Sequence, residues 1–185
     1  MTVADSPVLE AMLTRRSRSK VTAEVPGHDE IATFVSAVSR LADHGSLRPW
    51  RVIEIRGAAR DRVGRSFAAA CGEKKNPRKY VEKTHRASLL LAIVVSKKKS
   101  KIATWEQEAV AAGVAHLLSL LLDEAGWGVF WRTGPYTRAK AVRKAHRLGK
   151  GEELLGWLYV GRPTGKVGGP KRPAPAERHL SVLEP

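Results

Sequence analysis

The sequence contains a single cysteine and no long hydrophobic run, and both shortages exclude classes of protein. With one cysteine among 185 residues, an intrachain disulfide and a zinc site of several thiolates are excluded. The longest clear apolar run, Leu89 to Val95, is too short to span a bilayer. No apolar segment of the signal-peptide type precedes Arg15. We therefore expect a cytoplasmic protein with no membrane-spanning segment.

Acidic residues are also scarce relative to basic ones. The chain carries 33 Lys and Arg against 18 Asp and Glu, a formal net charge of +15. Such a surplus attracts anions, including nucleic acid and phosphorylated small molecules. Residues 71–101 hold ten of the basic residues and two acids, which we interpret as a basic surface excursion beside a buried strand. Tyr80 is the one aromatic residue among them, so direct nucleic-acid binding is the minor alternative.

Hydropathy patterning and turn residues predict one domain of mixed helices and strands. The predicted helices cover 7–15, 28–42, 58–70, 104–124 and 137–147, and the predicted strands cover 50–55, 88–95, 127–132 and 154–161. The helix over 104–124 is apolar on nearly all sides, which suggests that a partner subunit covers part of it. From Arg162 the chain is rich in proline and glycine and cannot form its own core, although 180–183 could add a strand to another subunit.

Several familiar site motifs are missing. The segment Gly161 to Lys166 has three residues between its glycines where a Walker phosphate loop has four. No Gly-x-Gly-x-x-Gly follows a predicted strand, so a Rossmann dinucleotide site is not supported. The six histidines are far apart in sequence, so we expect no metal site.

A series of short motifs nevertheless occurs in a recognisable order. Arg15-Arg16-Ser17 ends the first predicted helix. The later motifs are Ala-Asp-His-Gly-Ser-Leu-Arg-Pro-Trp over 42–50, Trp-Glu-Gln-Glu over 105–108, Gly-Trp-Gly-Val-Phe-Trp-Arg-Thr-Gly over 126–134, and Leu-Gly-Trp-Leu-Tyr-Val-Gly-Arg-Pro over 155–163. In this order and spacing the chain resembles the FMN-dependent nitroreductase family, in its YdjA-like branch of small NAD(P)H nitroreductases. The resemblance covers about residues 8 to 163.

The resemblance implies a fold and an assembly. The family fold is an α+β, three-layer α-β-α sandwich with a mostly antiparallel central sheet, and it forms an intertwined homodimer. We therefore expect a nitroreductase-like FMN-binding domain over residues 1–163. Residues 164–185 would be a Pro/Gly-rich C-terminal extension that crosses to the partner subunit. The long apolar helix would lie at the dimer interface.

The resemblance also implies the cofactor, FMN, and its binding residues. Arg15, Arg16 and Ser17 would hold the FMN phosphate and ribityl chain. The same chain would add Trp131, Arg132 and Thr133, and the other chain would add Arg40 and His44. The segment that corresponds to an NAD(P)H contact in similar proteins consists of Leu121, Leu122, Asp123, Glu124, Ala125 and Gly126. Arg48 stands where relatives often carry Gln in a loop that touches the flavin, and Lys20 where an aromatic or apolar residue often follows.

The expected activity is an FMN-dependent NAD(P)H oxidoreductase. By a ping-pong cycle, hydride would pass from NADH or NADPH through FMN to a nitroaromatic, a quinone or a similar acceptor. The chemistry would be carried by FMN, with no catalytic acid from the protein and no metal. Two alternatives stay open at this stage: a flavin-fold binding protein without reductase turnover, and a basic nucleic-acid-binding protein.

Overall fold

The computed structural model of the chain describes residues 6–165 and 173–184, and these fall into two compact units. The larger unit spans Arg16–Thr164. The smaller unit combines the N-terminal residues up to Arg15 with the C-terminal residues from Gly165. The domain expected over 1–163 and the extension expected over 164–185 stay predictions.

The larger unit is built around a four-stranded sheet in which every neighbouring pair is antiparallel. Its strands are β1 (Trp50–Arg56), β2 (Leu89–Ser96), β3 (Gly128–Arg132) and β4 (Glu152–Gly161), in the order β1-β2-β4-β3. The central strand β2 is a continuous apolar run and is buried along almost its whole length, as expected for a strand covered on both faces. In β4 the register shifts near Gly156, so one extra residue bulges from the strand.

Helices cover both faces of this sheet. Within the larger unit they are α2 (His28–Val38), α3 (Ala59–Ala70), α4 (Arg78–Thr84), α5 (Thr104–Glu124) and α6 (Lys140–Ala145), with single 3₁₀ turns at His44–Ser46 and Pro135–Arg138. One core cluster joins α2 and α5 to the sheet through residues such as Ile31, Leu118 and Leu91. A second cluster joins α3, α4 and α6 to the opposite face through Phe67, Tyr80 and Val142. This is the expected α+β fold with three α-β-α layers.

A buried histidine with a fixed tautomer contacts Trp157 of the second core cluster. His146 Nδ1 lies 2.8 Å from the carbonyl oxygen of Val142, and its Nε2 accepts the indole N–H of Trp157 at 2.9 Å. The carbonyl can only accept, so the ring proton is on Nδ1. Burial lowers the pKa of His146.

The structure differs from the predicted elements at three places. The stretch 71–87, for which no helix was predicted, contains the short helix α4, in which only Tyr80 and Thr84 are buried. The single helix expected over 137–147 is instead a 3₁₀ turn followed by α6, because Ala139 adopts an extended conformation between them. The helix expected over 28–42 ends at Val38, and the next residues form turns.

The smaller unit contains α1 (Pro7–Thr14) and part of the C-terminal segment. Ser6 caps α1 and Pro7 occupies its first turn. Four apolar side chains of α1 are exposed: Val8, Leu9, Met12 and Leu13. In the C-terminal segment, 180–183 form no strand with the described part of the chain, and the expected extension's residues 166–172 and 185 lie outside the described residues.

No helix within 6–165 or 173–184 is long and apolar enough to cross a bilayer. In the same ranges no group of three or more His, Cys, Asp or Glu side chains could hold a metal ion.

Candidate functional site

Two neighbouring cavities open near the end of β3. The first has a volume of about 380 Å³, and its walls are Phe67, Lys83, Arg86, Phe130, Trp131, Arg132, Thr133, Tyr136, Trp157 and Tyr159. The second has a volume of about 460 Å³, and its walls are Ser19, Lys20, Val21, Arg86 and Arg132. Arg86 and Arg132 belong to both, so the two cavities adjoin at these side chains.

The segment after the first helix forms part of this region because it runs along the free edge of β3. Ser17 pairs with Val129 as an isolated parallel bridge, and the Arg18 N–H donates to the Val129 carbonyl at 2.7 Å. Gly128 permits this approach, since a Cβ there would lie 3.0 Å or less from the side chains of Arg18 and Val21. The edge pairing carries Ser19 and Lys20 to the second cavity.

Arg132 is the residue at the junction of the two cavities. Because strand side chains alternate, Arg132 shares a face with Phe130 and lies opposite Trp157 in the register of β4. Its guanidinium lies 4.5 Å from the ring centre of Phe130 and 5.0 Å from that of Tyr159. Its buried Nε has no hydrogen-bond partner in the described part of the chain. A buried donor without an acceptor is costly, so this atom favours a bound anion or acceptor.

The charged groups at the two cavities are all basic. Lys83, Arg86 and Arg132 line the first cavity, and Lys20, Arg86 and Arg132 line the second. Among the residues that the structure describes, no Asp or Glu lines either cavity. Burial raises the pKa of Tyr159 to about 12, although the positive charges of Arg132 and Arg86 act in the opposite direction. The Tyr159 phenol therefore stays protonated and neutral at ordinary pH.

Trp131 precedes Arg132 in β3 and packs against the core cluster on the α5 face of the sheet. Its ring packs edge-on against His116, with ring centres 5.0 Å apart. Its buried Nε1 also lacks a hydrogen-bond partner among the described residues. Gly156 of β4 comes close to both residues: a Cβ there would lie 2.4 Å from the Arg132 carbonyl oxygen and 2.7 Å from Trp131 Nε1.

The residues predicted for the site are only partly brought together. Trp131, Arg132 and Thr133 all line the first cavity. Arg16 and Ser17 lie on the segment beside β3 but are not part of either cavity wall. Arg15, at the C-terminus of α1, belongs to the smaller unit.

Arg40 and His44 lie in the turns that follow α2, outside both cavities. Arg40 is exposed, and the His44 Nδ1 lies 2.8 Å from a carboxylate oxygen of Glu106. In the same loop the Arg48 backbone has a positive φ of 46°, and its N–H donates to Asp43 at 2.6 Å. The Arg48 side chain is exposed.

The segment expected to contact NAD(P)H forms the end of α5. Leu122 is buried in the core, and its carbonyl accepts the Trp127 N–H at 2.8 Å. Gly126 has a positive φ of 83° and its N–H donates to the Asp123 carbonyl, so it ends the helix. None of the residues from Leu121 to Gly126 lines either cavity.

Most of the residues that line the first cavity were not predicted from the sequence. Phe67, Lys83, Arg86, Tyr136 and Tyr159 come from four separate regions of the chain, and no spacing pattern links them. The one available signal was the basic stretch 71–101, which contains Lys83 and Arg86 but gives no indication of which of its cations turn inward.

The antiparallel sheet between two helical layers, with a basic cavity walled by aromatic rings, defines a fold and site suited to an anionic aromatic ligand. The family model described as the Nitroreductase family matches residues 12–162. The chain belongs to this family and is accordingly an oxidoreductase.

Individual relatives agree with this membership. One relative is the putative NAD(P)H nitroreductase YdjA of Escherichia coli. It is 29% identical to this chain over 160 residues, which cover 84% of this chain and 87% of YdjA. A nitroreductase-like family protein from Bacillus cereus superposes with a TM-score of 0.84 at 17% identity, covering 100% of this chain and 99% of that one. The FMN and NADPH-dependent nitroreductase NfnB from Sphigopyxis sp. superposes with a TM-score of 0.74 at 17% identity, covering 97% and 100%.

Proposed function

We propose that the protein is an FMN-dependent NAD(P)H oxidoreductase that reduces nitroaromatics, quinones or similar electron-poor acceptors. Family membership supports the reaction class, and the names of YdjA and NfnB support the nicotinamide donor and the flavin. The observation in the structure that carries the proposal is Arg132, whose buried Nε has no acceptor in the described chain.

The donor set fits FMN. This cofactor has an anionic phosphate and an aromatic ring system edged with hydrogen-bond acceptors, so its site needs cations, donors and aromatic or apolar walls. Arg132 supplies a charged donor, Trp131 an indole N–H without a partner among the described residues, and Thr133 a hydroxyl. We propose that these three residues hold the cofactor together with Arg15, Arg16 and Ser17.

The protein's own groups would bind, orient and shield the reactants. Bound FMN would supply the ring that accepts and donates hydride. The fixed positive charge of Arg132 would stabilise negative charge that develops beside it. This electrostatic interaction is stronger where water is excluded. The Tyr159 phenol, with its pKa near 12, would not release a proton, and the described residues of the cavity walls include no Asp or Glu that could act as an acid. Protons would therefore be drawn from solvent. We also propose that donor and acceptor use the site in turn, in a ping-pong cycle.

The proposal includes a homodimer. The exposed apolar side chains of α1, together with Trp105 and Leu117 of α5, would be covered by a second copy, which accounts for an otherwise unfavourable exposure. Arg40 and His44, which line neither cavity of their own chain, would then serve the partner's cofactor. The C-terminal extension would cross to that partner. Light scattering during gel filtration would give twice the chain mass of 20.3 kDa.

The test of cofactor binding is a pair of arginine variants. Each protein is incubated with FMN, desalted, and measured for retained flavin absorbance. Arg132→Ala should retain far less flavin than the unmodified protein, since one charge-assisted hydrogen bond contributes about 1.5–3 kcal/mol. Arg65→Ala, which removes an exposed arginine outside both cavities, is the matched control. Equal retention by Arg132→Ala and the control would remove Arg132 from the site.

A further inference from the structure

The second cavity is formed by cations from three separate elements. Lys20 comes from the segment along β3, Arg86 from the link between α4 and β2, and Arg132 from the end of β3. Three positive charges that converge through tertiary folding repel one another, unlike a run of lysines on one solvated loop. The arrangement is stabilised when an anion occupies the space between them.

The fold leaves these cations without acidic partners while it pairs others elsewhere. Lys97 Nζ lies 3.2 Å from a carboxylate oxygen of Glu108 and 2.8 Å from one of Glu153. Within the described residues, by contrast, Lys20, Arg86 and Arg132 form no ion pair with a carboxylate. Their positive charge therefore remains available to a ligand.

We propose that the second cavity is an anion subsite, in which Arg86 and Lys20, with Arg132 behind them, bind the phosphate or carboxylate group of a substrate. This inference rests on the proposed oxidoreductase function and adds a preference for negatively charged substrates. Two sources of the oxyanion fit the same chemistry. One is the additional phosphate that distinguishes NADPH from NADH, and the other is a carboxylate on an aromatic acceptor.

The first cavity belongs to the proposed cofactor site, because Trp131, Arg132 and Thr133 line it. Arg86 and Lys20 are the cations of the second cavity that the proposed cofactor set does not use. These two residues are therefore the ones that would distinguish a charged substrate from a neutral one.

The test compares matched charged and neutral ligands by isothermal titration calorimetry on the oxidised, FMN-loaded protein without reductant. One pair is para-nitrobenzoate and para-nitrobenzamide, and the other is NADPH and NADH. The unmodified protein should bind the more highly charged member of at least one pair about tenfold more tightly, as one charge-assisted hydrogen bond predicts. Arg86→Ala should abolish that advantage, and Arg86→Lys should restore part of it.

The control variant is Lys75→Ala, which removes an exposed cation of the basic stretch that lines neither cavity. Lys75→Ala should keep the tighter binding of the charged ligand. In the unmodified protein, added salt should reduce the affinity difference between the charged and the neutral ligand. The pair that responds to Arg86→Ala identifies the source of the oxyanion. Unfolding temperatures of the variants should match that of the unmodified protein, because the Arg86 side chain is exposed.

Three results would overturn the proposal. The unmodified protein could bind both members of each pair equally tightly, Arg86→Ala could keep the tighter binding of the charged ligand, or Lys75→Ala could lose it to the same extent as Arg86→Ala. The proposal would also be overturned if Arg86→Ala lost retained FMN but kept the affinity difference within both ligand pairs. The anion bound by Arg86 would then be the phosphate of the cofactor. Absence of retained FMN in the unmodified protein would contradict the proposed function instead. The titrations on the flavin-free protein would still measure the anion subsite.

Discussion

Replacement of Gly156 by alanine tests whether the bulge in β4 shapes the site. Gly156 has a φ of +150°, a conformation that side-chain-bearing residues rarely adopt. An added Cβ would lie 2.4 Å from the Arg132 carbonyl oxygen, a backbone atom that cannot rotate away. Backbone strain of about 1–3 kcal/mol and overpacking of about 1–3 kcal/mol give a loss of unfolding free energy of about 2–6 kcal/mol.

Urea denaturation of Gly156→Ala measures this loss directly, and thermal unfolding should show a fall in Tm of roughly 5–20 °C for a chain of this length. The matched control is Gly149→Ala, whose Cβ would find its nearest neighbour at an ordinary 3.7 Å. Because the strain is located at Arg132 and Trp131, Gly156→Ala should also retain less FMN at temperatures where it is folded. A stability within about 0.5 kcal/mol of the unmodified protein would refute this account of the bulge.

Three further predictions concern the cofactor and the pH dependence of stability. Arg15→Ala should weaken FMN binding by about 1.5–3 kcal/mol in an equilibrium titration, and unchanged affinity would exclude Arg15 from the site. Burial lowers the pKa of His146, so its contribution to stability is present above the unfolded-state pKa of about 6.5 and is lost as the pH falls below it. Across this pH range the urea midpoint should change less steeply with pH in His146→Gln than in the unmodified protein. An identical pH dependence in the two proteins would contradict the assignment. Hydrogen bonds from Arg51 hold the pKa of Glu152 at about 2, so its contribution, present above about 4.5, should fade between these values. In Glu152→Gln the free energy of unfolding should fall less between pH 4.5 and pH 2 than in the unmodified protein. An equal fall in both proteins would count against the Arg51–Glu152 pair.

The elements with the strongest hydropathy pattern were predictable from the sequence. β2 is a continuous apolar run, and α5 extends over the residues expected from its apolar length and its terminal Gly126. In both, burial against many neighbours determines the local structure, so the pattern is strong. The resemblance then supplied the layer order, which no local pattern contains.

The short helices and the cavity walls could not be predicted in the same way. In α4, two buried residues in seven give too short a pattern to distinguish a helix from a loop. Arg86 follows α4, and α4 packs on the face of the sheet that carries Phe130 and Arg132, so the two cations meet through tertiary packing rather than sequence spacing. Trp131, Arg132 and Thr133 could be predicted together because they are consecutive within one motif, whereas the other residues that line the first cavity could not.

The central claim is best tested by the visible absorption spectrum of the purified protein after incubation with FMN and desalting, recorded before and after anaerobic addition of NADPH or NADH. We expect retained flavin bands that bleach on addition of at least one nicotinamide. Retained flavin that neither nicotinamide bleaches would contradict NAD(P)H oxidoreductase activity and leave a flavin-binding protein. Absence of retained flavin would contradict the cofactor assignment itself.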